Sequence, residues 1–315
     1  MKNKVVVIGS YNTDLTIKTG RIPRPGETVI GGIFSEGGGG KGANQAVAAA
    51  RTGANVSFIA RVGNDVLGRE GIKRLIDERI DTQYIYLDND VSTGVAFIVV
   101  DERGENSIVV ASGANARLSL NDIDKAQDEI LSAGVLLVQL ESPIEAIRAA
   151  IKKSHEKDTV VILNPAPAQS LEQNLLQEID IITPNKVEAE MITGIKVTDE
   201  ESLRSIVKKF FEYGIKNVLI TLGSNGIFAG LPNTMKFIPA FKVNPIDSTG
   251  AGDVFSGSLA AFISEGIPIE KAVKMANASA SISVTRMGAQ SSAPCRTEIE
   301  NFIFTNSSSE ANVLN

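Results

Sequence analysis

The chain has one cysteine and one histidine in 315 residues, no long basic run, and no apolar stretch long enough to span a bilayer. Each absence removes a class of function. Cys295 has no partner for an intramolecular disulfide, and with His155 as the single histidine no His/Cys zinc cage can be assembled. His155 lies in the polar run Lys152 to Asp158, which reads as a helix end at the surface and makes it a structural bystander. A net charge of −6 without a basic tract offers nothing to a nucleic-acid backbone or an anionic membrane, so a bound phosphate needs donors built from loops. Met1 to Lys4 precede only the short apolar run Val5 to Ile8, which Gly9 ends, so neither signal peptide nor membrane span is expected and a cytoplasmic protein is.

What is present is a composition, 43% hydrophobic and 22% charged, sufficient for one large domain plus an accessory element. Short Val/Ile/Leu runs at Val5 to Ile8, Val56 to Ala60, Val135 to Leu140, Thr159 to Leu163, Ile179 to Ile182 and Val218 to Thr221 alternate with amphipathic stretches. The helical candidates are Gly42 to Thr52, Gly68 to Glu78, Asn121 to Ser132, Pro143 to Lys153, Lys186 to Thr193 and Glu200 to Tyr213. The alternation predicts an α/β fold with a mostly parallel central sheet covered by helices on both faces. Two segments break the rhythm. Residues 92–112 read as a hairpin around Asp101 to Glu105, and residues 13–36 are strand-like with Pro23, Pro25 and Gly26 interrupting them. Both are expected to leave the main sheet and form a small β-lid, within a single domain over 1–304. The polar residues 305–315 are expected to be a disordered tail.

Residues 247–253, Asp-Ser-Thr-Gly-Ala-Gly-Asp, carry the strongest chemical signal because they open an apolar, helix-like stretch. Gly250, Ala251 and Gly252 bring no bulk, so their N–H groups can converge at a helix start as an anion hole. Asp253 in that first turn can take a proton from an attacking hydroxyl while the N–H groups hold the developing charge. Taken alone, the run is also consistent with an ordinary helix cap. A second glycine cluster, Gly37 to Gly40 followed by Lys41-Gly42-Ala43-Asn44, opens another helix. Gly37, Gly39 and Gly42 match G-x-G-x-x-G, yet the cluster follows no immediate apolar strand, so a dinucleotide site is rejected. Gly42 after Lys41 likewise excludes a Walker loop. Asn12 and Asp14 follow the first strand and Glu141 ends another, at the sheet edge where open α/β folds place ligands.

The ordered motifs are Gly9 to Asp14, Gly39 to Ala46, Gln139 to Pro143, Asn164 to Ala168, Thr183 to Glu190, Thr221 to Gly226, Asp247 to Asp253 and Val284 to Gln290. With them the chain resembles the ribokinase family of sugar kinases across residues 4–304. The resemblance implies a ribokinase-like three-layer sandwich and transfer of the γ-phosphoryl group of ATP to the 5-hydroxyl of ribose, with Asp253 as general base. It places ribose against Asn12, Thr13, Asp14, Gly40, Lys41, Gly42, Ala43, Asn44, Glu141 and Asp253. ATP is placed along Asn185, Thr221, Leu222, Gly223, Ser224, Asn225, Gly226, Gly252, Asp253 and Asn277. Magnesium is implied near Glu188, through water. Potassium is implied at Asp247, Thr249, Ser283, Arg286, Gly288 and Ser292, mostly through carbonyl oxygens, with Arg286 contributing its backbone. A kinase for another sugar or nucleoside, and a non-catalytic sugar-binding regulator, stay open as alternatives. Open lid edges predict a homodimer through paired lids.

Overall fold

The computed structural model describes residues 3–312. Strands β1 (Lys4–Ile8), β2 (Asn12–Lys18) and β3 (Ile33–Gly39) lead into helix α1 (Lys41–Thr52), followed by β4 (Asn55–Gly63), α2 (Val66–Asp77), β5 (Ile85–Asp88), β6 (Gly94–Val100) and β7 (Asn106–Ala111). Next come α3 (Leu120–Lys125), α4 (Gln127–Ser132), β8 (Val135–Val138), α5 (Ile144–Ser154), β9 (Val160–Leu163), α6 (Gln173–Leu176), β10 (Ile181–Ile182), α7 (Lys186–Thr193) and α8 (Glu200–Glu212). The chain finishes with β11 (Asn217–Thr221), β12 (Ile227–Leu231), β13 (Thr234–Ile238), α9 (Ala251–Ser264), α10 (Ile269–Ser283) and α11 (Arg296–Asn312).

Nine strands form the main sheet in the order β13-β12-β11-β10-β9-β8-β1-β4-β5. From β11 to β5 neighbouring strands are parallel; β12 and β13 add an antiparallel edge. Strand periodicity explains the two helical layers. Val5 and Val7 pack with α1, α9 and α10 on one face, whereas Val6 and Ile8 pack with α3, α5 and α8 on the other. Both faces are covered, so β1 reads as an unbroken apolar run rather than an alternating one. The four remaining strands form a separate sheet, β3-β2-β6-β7, with β2 and β6 parallel at its centre. This is the expected lid, with residues 19–32 crossing between β2 and β3 outside any strand.

Three expectations need correction. Asn121 to Ser132 is not one helix: Ser119 and Asp122 form a reciprocal cap at the start of α3, and the chain turns again at Ala126 before α4. The glycine cluster does follow a strand, because Gly37 to Gly39 are themselves the end of β3; that strand belongs to the antiparallel lid edge, so a dinucleotide-binding βαβ unit is still not formed. The segment expected to be a disordered tail is helical as far as Asn312, as the last part of α11. The Cys295 N–H donates to Glu298 at 2.8 Å, capping that helix. Residues 313–315 lie outside the described residues. Among the described residues no helix is long and apolar enough to cross a membrane.

Candidate active site

The loop after β1, the start of α1, the ends of β8, β9 and β10, and the first turn of α9 meet at the carboxyl edge of the main sheet. The start of α9 is set by Gly250, whose left-handed φ of 73° turns the chain into the helix. The first bond of its ladder runs from the Val254 N–H to the Gly250 carbonyl at 2.8 Å, so the preceding N–H groups lie ahead of the ladder. Of these, Ala251 donates weakly to the Ser248 carbonyl at 3.3 Å. A Cβ on Gly252 would meet nothing within 4 Å, so the surface in front of that turn is open.

Asp253 is buried in this turn, where Asn44 donates to its Oδ2 and Gln45 to its Oδ1, each at 3.0 Å. Lys41 stands at the head of α1, and its ammonium is raised above its usual value chiefly by the charge of Asp253, with burial opposing and Glu141 and Glu188 adding to the rise. Lys41 is half-buried, with its charge influenced by these carboxylates. Asn44 Oδ1 is a buried acceptor with no protein partner, on the helix turn that already holds Asp253. A hydroxyl donor is one chemical group that would satisfy it.

Asp14 on β2 is held up at about 6, first by burial and then by the charges of Glu141 and Asp253. Asn12 is buried beside it and accepts from Asn115 Nδ2 at 2.8 Å, leaving its own amide N–H groups for a ligand. Glu141 accepts from the Ser10 hydroxyl and, at 3.0 Å, from the Lys41 N–H, so it ties the β1 loop to the start of α1. Thr13 is buried and alternates to the other side of β2. The glycines of the motif are required by the packing of the protein itself. A Cβ on Gly39 would stand 2.1 Å from Asp14 Oδ1, one on Gly40 2.7 Å from the Asn12 nitrogen, and one on Gly42 2.6 Å from the Ser10 nitrogen. They let β2, the loop after β1 and the start of α1 fit together, and Ala43 is buried beneath them.

Two cavities flank Thr221 and Gly223. One, of about 720 Å³, is lined by Thr221, Gly223, Ser224, Gly226, Gly252 and Asn277 together with Phe241, Ile246, Phe255 and Val284. The other, of about 740 Å³, is lined by Asn185, Leu222 and Asn225 on the far side. The expected nucleotide residues are therefore divided between two hollows that share a strand end. Asn277 is buried and donates to the Pro239 carbonyl at 2.8 Å. Asn185 and Glu188 form a reciprocal cap at the start of α7: each donates or accepts within 2.9 Å of the other. The capping reading and the functional reading are thus the same residues, and burial raises the Glu188 carboxyl while its hydrogen bond from Asn185 and the charge of Lys41 oppose the rise.

The segment before α9 is laced to the loop after α10. Asp247 Oδ2 accepts from the Gly288 N–H at 2.8 Å, and its Oδ1 from the Thr249 N–H at 2.9 Å and the Thr249 hydroxyl at 2.6 Å. Burial pushes the Asp247 carboxyl up, yet these bonds together outweigh it and hold the group below its ordinary value. Ser283, the last residue of α10, and Ser292 in the loop that follows are buried, and the Arg286 guanidinium pairs with Glu298. Among the described residues no group of three or more His, Cys, Asp or Glu side chains forms a metal cluster.

Sequence reasoning missed Gln45, Asn115, Gln139 and Asn164 as site residues, although three of them stand inside its motifs. Buried amides have no periodic signature. It also missed the irregular segment from Phe241 to Ile246, whose apolar side chains line the first cavity without belonging to any strand or helix.

Residues 2–296 match the family described as pfkB family carbohydrate kinase. A ribokinase of Haemophilus influenzae is 43% identical over 96% of this chain and 99% of its own length. A deoxyribokinase of Salmonella typhi is 35% identical over 96% of this chain and 99% of its own. The structure of Arabidopsis thaliana ribokinase complexed with ribose and ATP superposes with a TM-score of 0.87 at 30% identity, covering 96% of this chain and 99% of that one.

Proposed function

Because the chain belongs to the pfkB family of carbohydrate kinases and phosphorylates ribose with ATP, we propose that Asp253 is its general base and the 5-hydroxyl its nucleophile. The observation that carries this reading is the placement of a buried carboxylate in the first turn of α9, between Asn44 and the open surface before Gly252. Ribose lies against Asn12, Asp14, Lys41, Asn44 and Glu141, under the lid. ATP lies in the cavity that reaches from Asn277 to Gly252, with its phosphates toward the helix start. Asp253 takes the proton as the sugar oxygen bonds to the γ-phosphorus and the bond from phosphorus to the ADP oxygen breaks in line. The N–H groups at Gly250 to Gly252 hold the charge on the transferring group. The products are ribose 5-phosphate and ADP. A coupled assay of ADP release over ribose, 2-deoxyribose, fructose and a nucleoside tests the assignment; the highest kcat/KM for ribose is expected, and a preference for 2-deoxyribose would reassign the sugar.

Magnesium supplies charge neutralisation at the nucleotide phosphates. Both oxygens of Glu188 are engaged by Asn185, so the residues fit a contact to the ion through water rather than direct ligation. Potassium fits the junction of Asp247 and Thr249 with Ser283 at the end of α10 and the following loop of Arg286, Gly288 and Ser292, since hydrogen bonds already bring these segments together. Asp247→Ala is expected to lower turnover severalfold and abolish activation by potassium at constant ionic strength, with ribose affinity unchanged. A variant that keeps the full response would rule out this site.

A homodimer through the lid is supported by its outer face. The sheet register sets Leu15, Phe97 and Val109 in one row and Phe34, Ile17 and Val99 in the next, on the side opposite Asp14. Phe34, Phe97 and Val109 are 61%, 58% and 69% exposed, an apolar patch that a second lid would cover. Phe97→Lys is expected to halve the mass seen by sedimentation equilibrium; a wild-type chain that sediments as a monomer removes the dimer. A cytosolic location, where ATP is made and used, accords with this chemistry.

A further inference from the structure

We propose that Gln45 is a positioning residue: a branched network of buried amides, which fixes Gln45 as donor to Asp253 Oδ1, holds the base in place from behind. The inference rests on the assignment of Asp253 as base. Gln45 is fully buried on α1. Its Nε2 donates to Asp253 Oδ1 and to Asn164 Oδ1, each at 3.0 Å, and its Oε1 accepts from Gln139 Nε2 at 2.6 Å.

The direction of this network is fixed at its far end. Asn164 Nδ2 donates at 3.0 Å to the Thr183 carbonyl, which can only accept. Asn164 must therefore turn its oxygen toward Gln45, and Gln45 must turn its NH₂ toward both Asn164 and Asp253. The anchors stand at the carboxyl ends of β8, β9 and β10, in the middle of the main sheet. Gly257, one turn beyond Asp253, completes the arrangement: a Cβ there would stand 2.3 Å from the Gln45 carbonyl oxygen, so its absence lets α1 and α9 approach closely enough for Gln45 to reach the base.

A donor-only neighbour does two things for a general base. It fixes the carboxylate plane, so that Oδ2 faces Asn44 and the sugar, and its donors oppose no acceptor of the base. The charged groups facing Asp253 from the surrounding elements are Lys41 on α1, Asp14 on β2 and Glu188 on α7. None of them takes part in the amide network.

The test uses kcat for ribose phosphorylation with saturating ATP and ribose. Gln45→Met keeps the shape and removes the donors; kcat is expected to fall by about 10- to 100-fold, the scale of a slightly misplaced reacting group, with both KM values within about threefold of wild type. Gln45→Glu places a second carboxylate against Asp253 and is expected to move the acid limb of the kcat profile up by about one pH unit. A merely structural Gln45 would lower the melting temperature and leave both readouts in place. A folded Gln45→Met enzyme with kcat within twofold of wild type overturns the proposal, as does an unmoved acid limb in Gln45→Glu. The latter decides the matter alone if Gln45→Met does not fold. Asp253→Asn is assayed alongside: if it is active, the reading of Asp253 as base has failed, whereas an inactive Asp253→Asn beside a normal Gln45→Met overturns only the positioning role.

Discussion

Asp253→Asn is expected to lower kcat by about two to four orders of magnitude, the usual contribution of a lost general base, while ATP affinity stays within a few-fold of wild type. The carboxylate touches the sugar side of the site through Asn44 and the sheet side through Gln45, and the cavity assigned to the nucleotide does not include it. Loss should therefore fall on the chemical step. The substituted side chain has a second fault: both Asp253 oxygens accept N–H groups, so an amide at this position would either oppose the Gln45 donor or require the Asn44 amide to reverse. Isothermal titration with a non-hydrolysable ATP analogue, beside single-turnover phosphoryl transfer, separates the two effects. A kcat within tenfold of wild type would remove Asp253 from the mechanism.

The legible parts of this molecule are those set by local periodicity. The runs at Val5 to Ile8 and Val218 to Thr221, the helix Lys186 to Thr193 and the hairpin around Asp101 to Glu105 all carry their own signal, and each is found where its residues predict it. The unread parts depend on what distant segments do to one another. That β2 and β6 lie parallel at the centre of the lid follows from the path of α1 and α2 between them, which no window of sequence contains. Asn115 holds the backbone of Tyr11 through both its N–H and its carbonyl, across 104 residues of chain. The glycine motif reads as a place where backbone meets sugar, because glycine spacing reports only that something comes close. Within the protein itself, the carboxylate of Asp14 and the loop after β1 come close. For the same reason the Asn185 and Glu188 pair is legible as a cap and as a site, and only the fold shows that a cap at that sheet edge is also part of the site's charge.

Asp14→Asn is expected to make the free protein more stable above pH 6 and to weaken ribose by about ten- to a hundredfold, the value of a lost charged hydrogen bond. Burial is the first cause of the raised Asp14 carboxyl, with Glu141 and Asp253 adding repulsion, so its folded value of about 6 stands above the ordinary 3.8 of an unfolded chain. Between those pH values the folded state binds more protons than the unfolded state, and stability falls as pH rises through that window, then levels off. The difference corresponds to destabilisation on the order of 3 kcal/mol above pH 6, which the neutral Asn side chain does not carry. Thermal unfolding of the free protein should therefore show a gain for Asp14→Asn at pH 7.5 that vanishes near pH 4. Ribose reverses the preference, because hydroxyl donors favour the ionised carboxylate. Sugar binding at pH 6 should then release a proton, seen in calorimetry as an enthalpy that varies with the ionisation heat of the buffer, and release none at pH 8. Ribose affinity should weaken as pH falls below 6. Proton uptake on binding, or a variant no more stable than wild type at pH 7.5, would show that Asp14 is not the charged acceptor at the sugar.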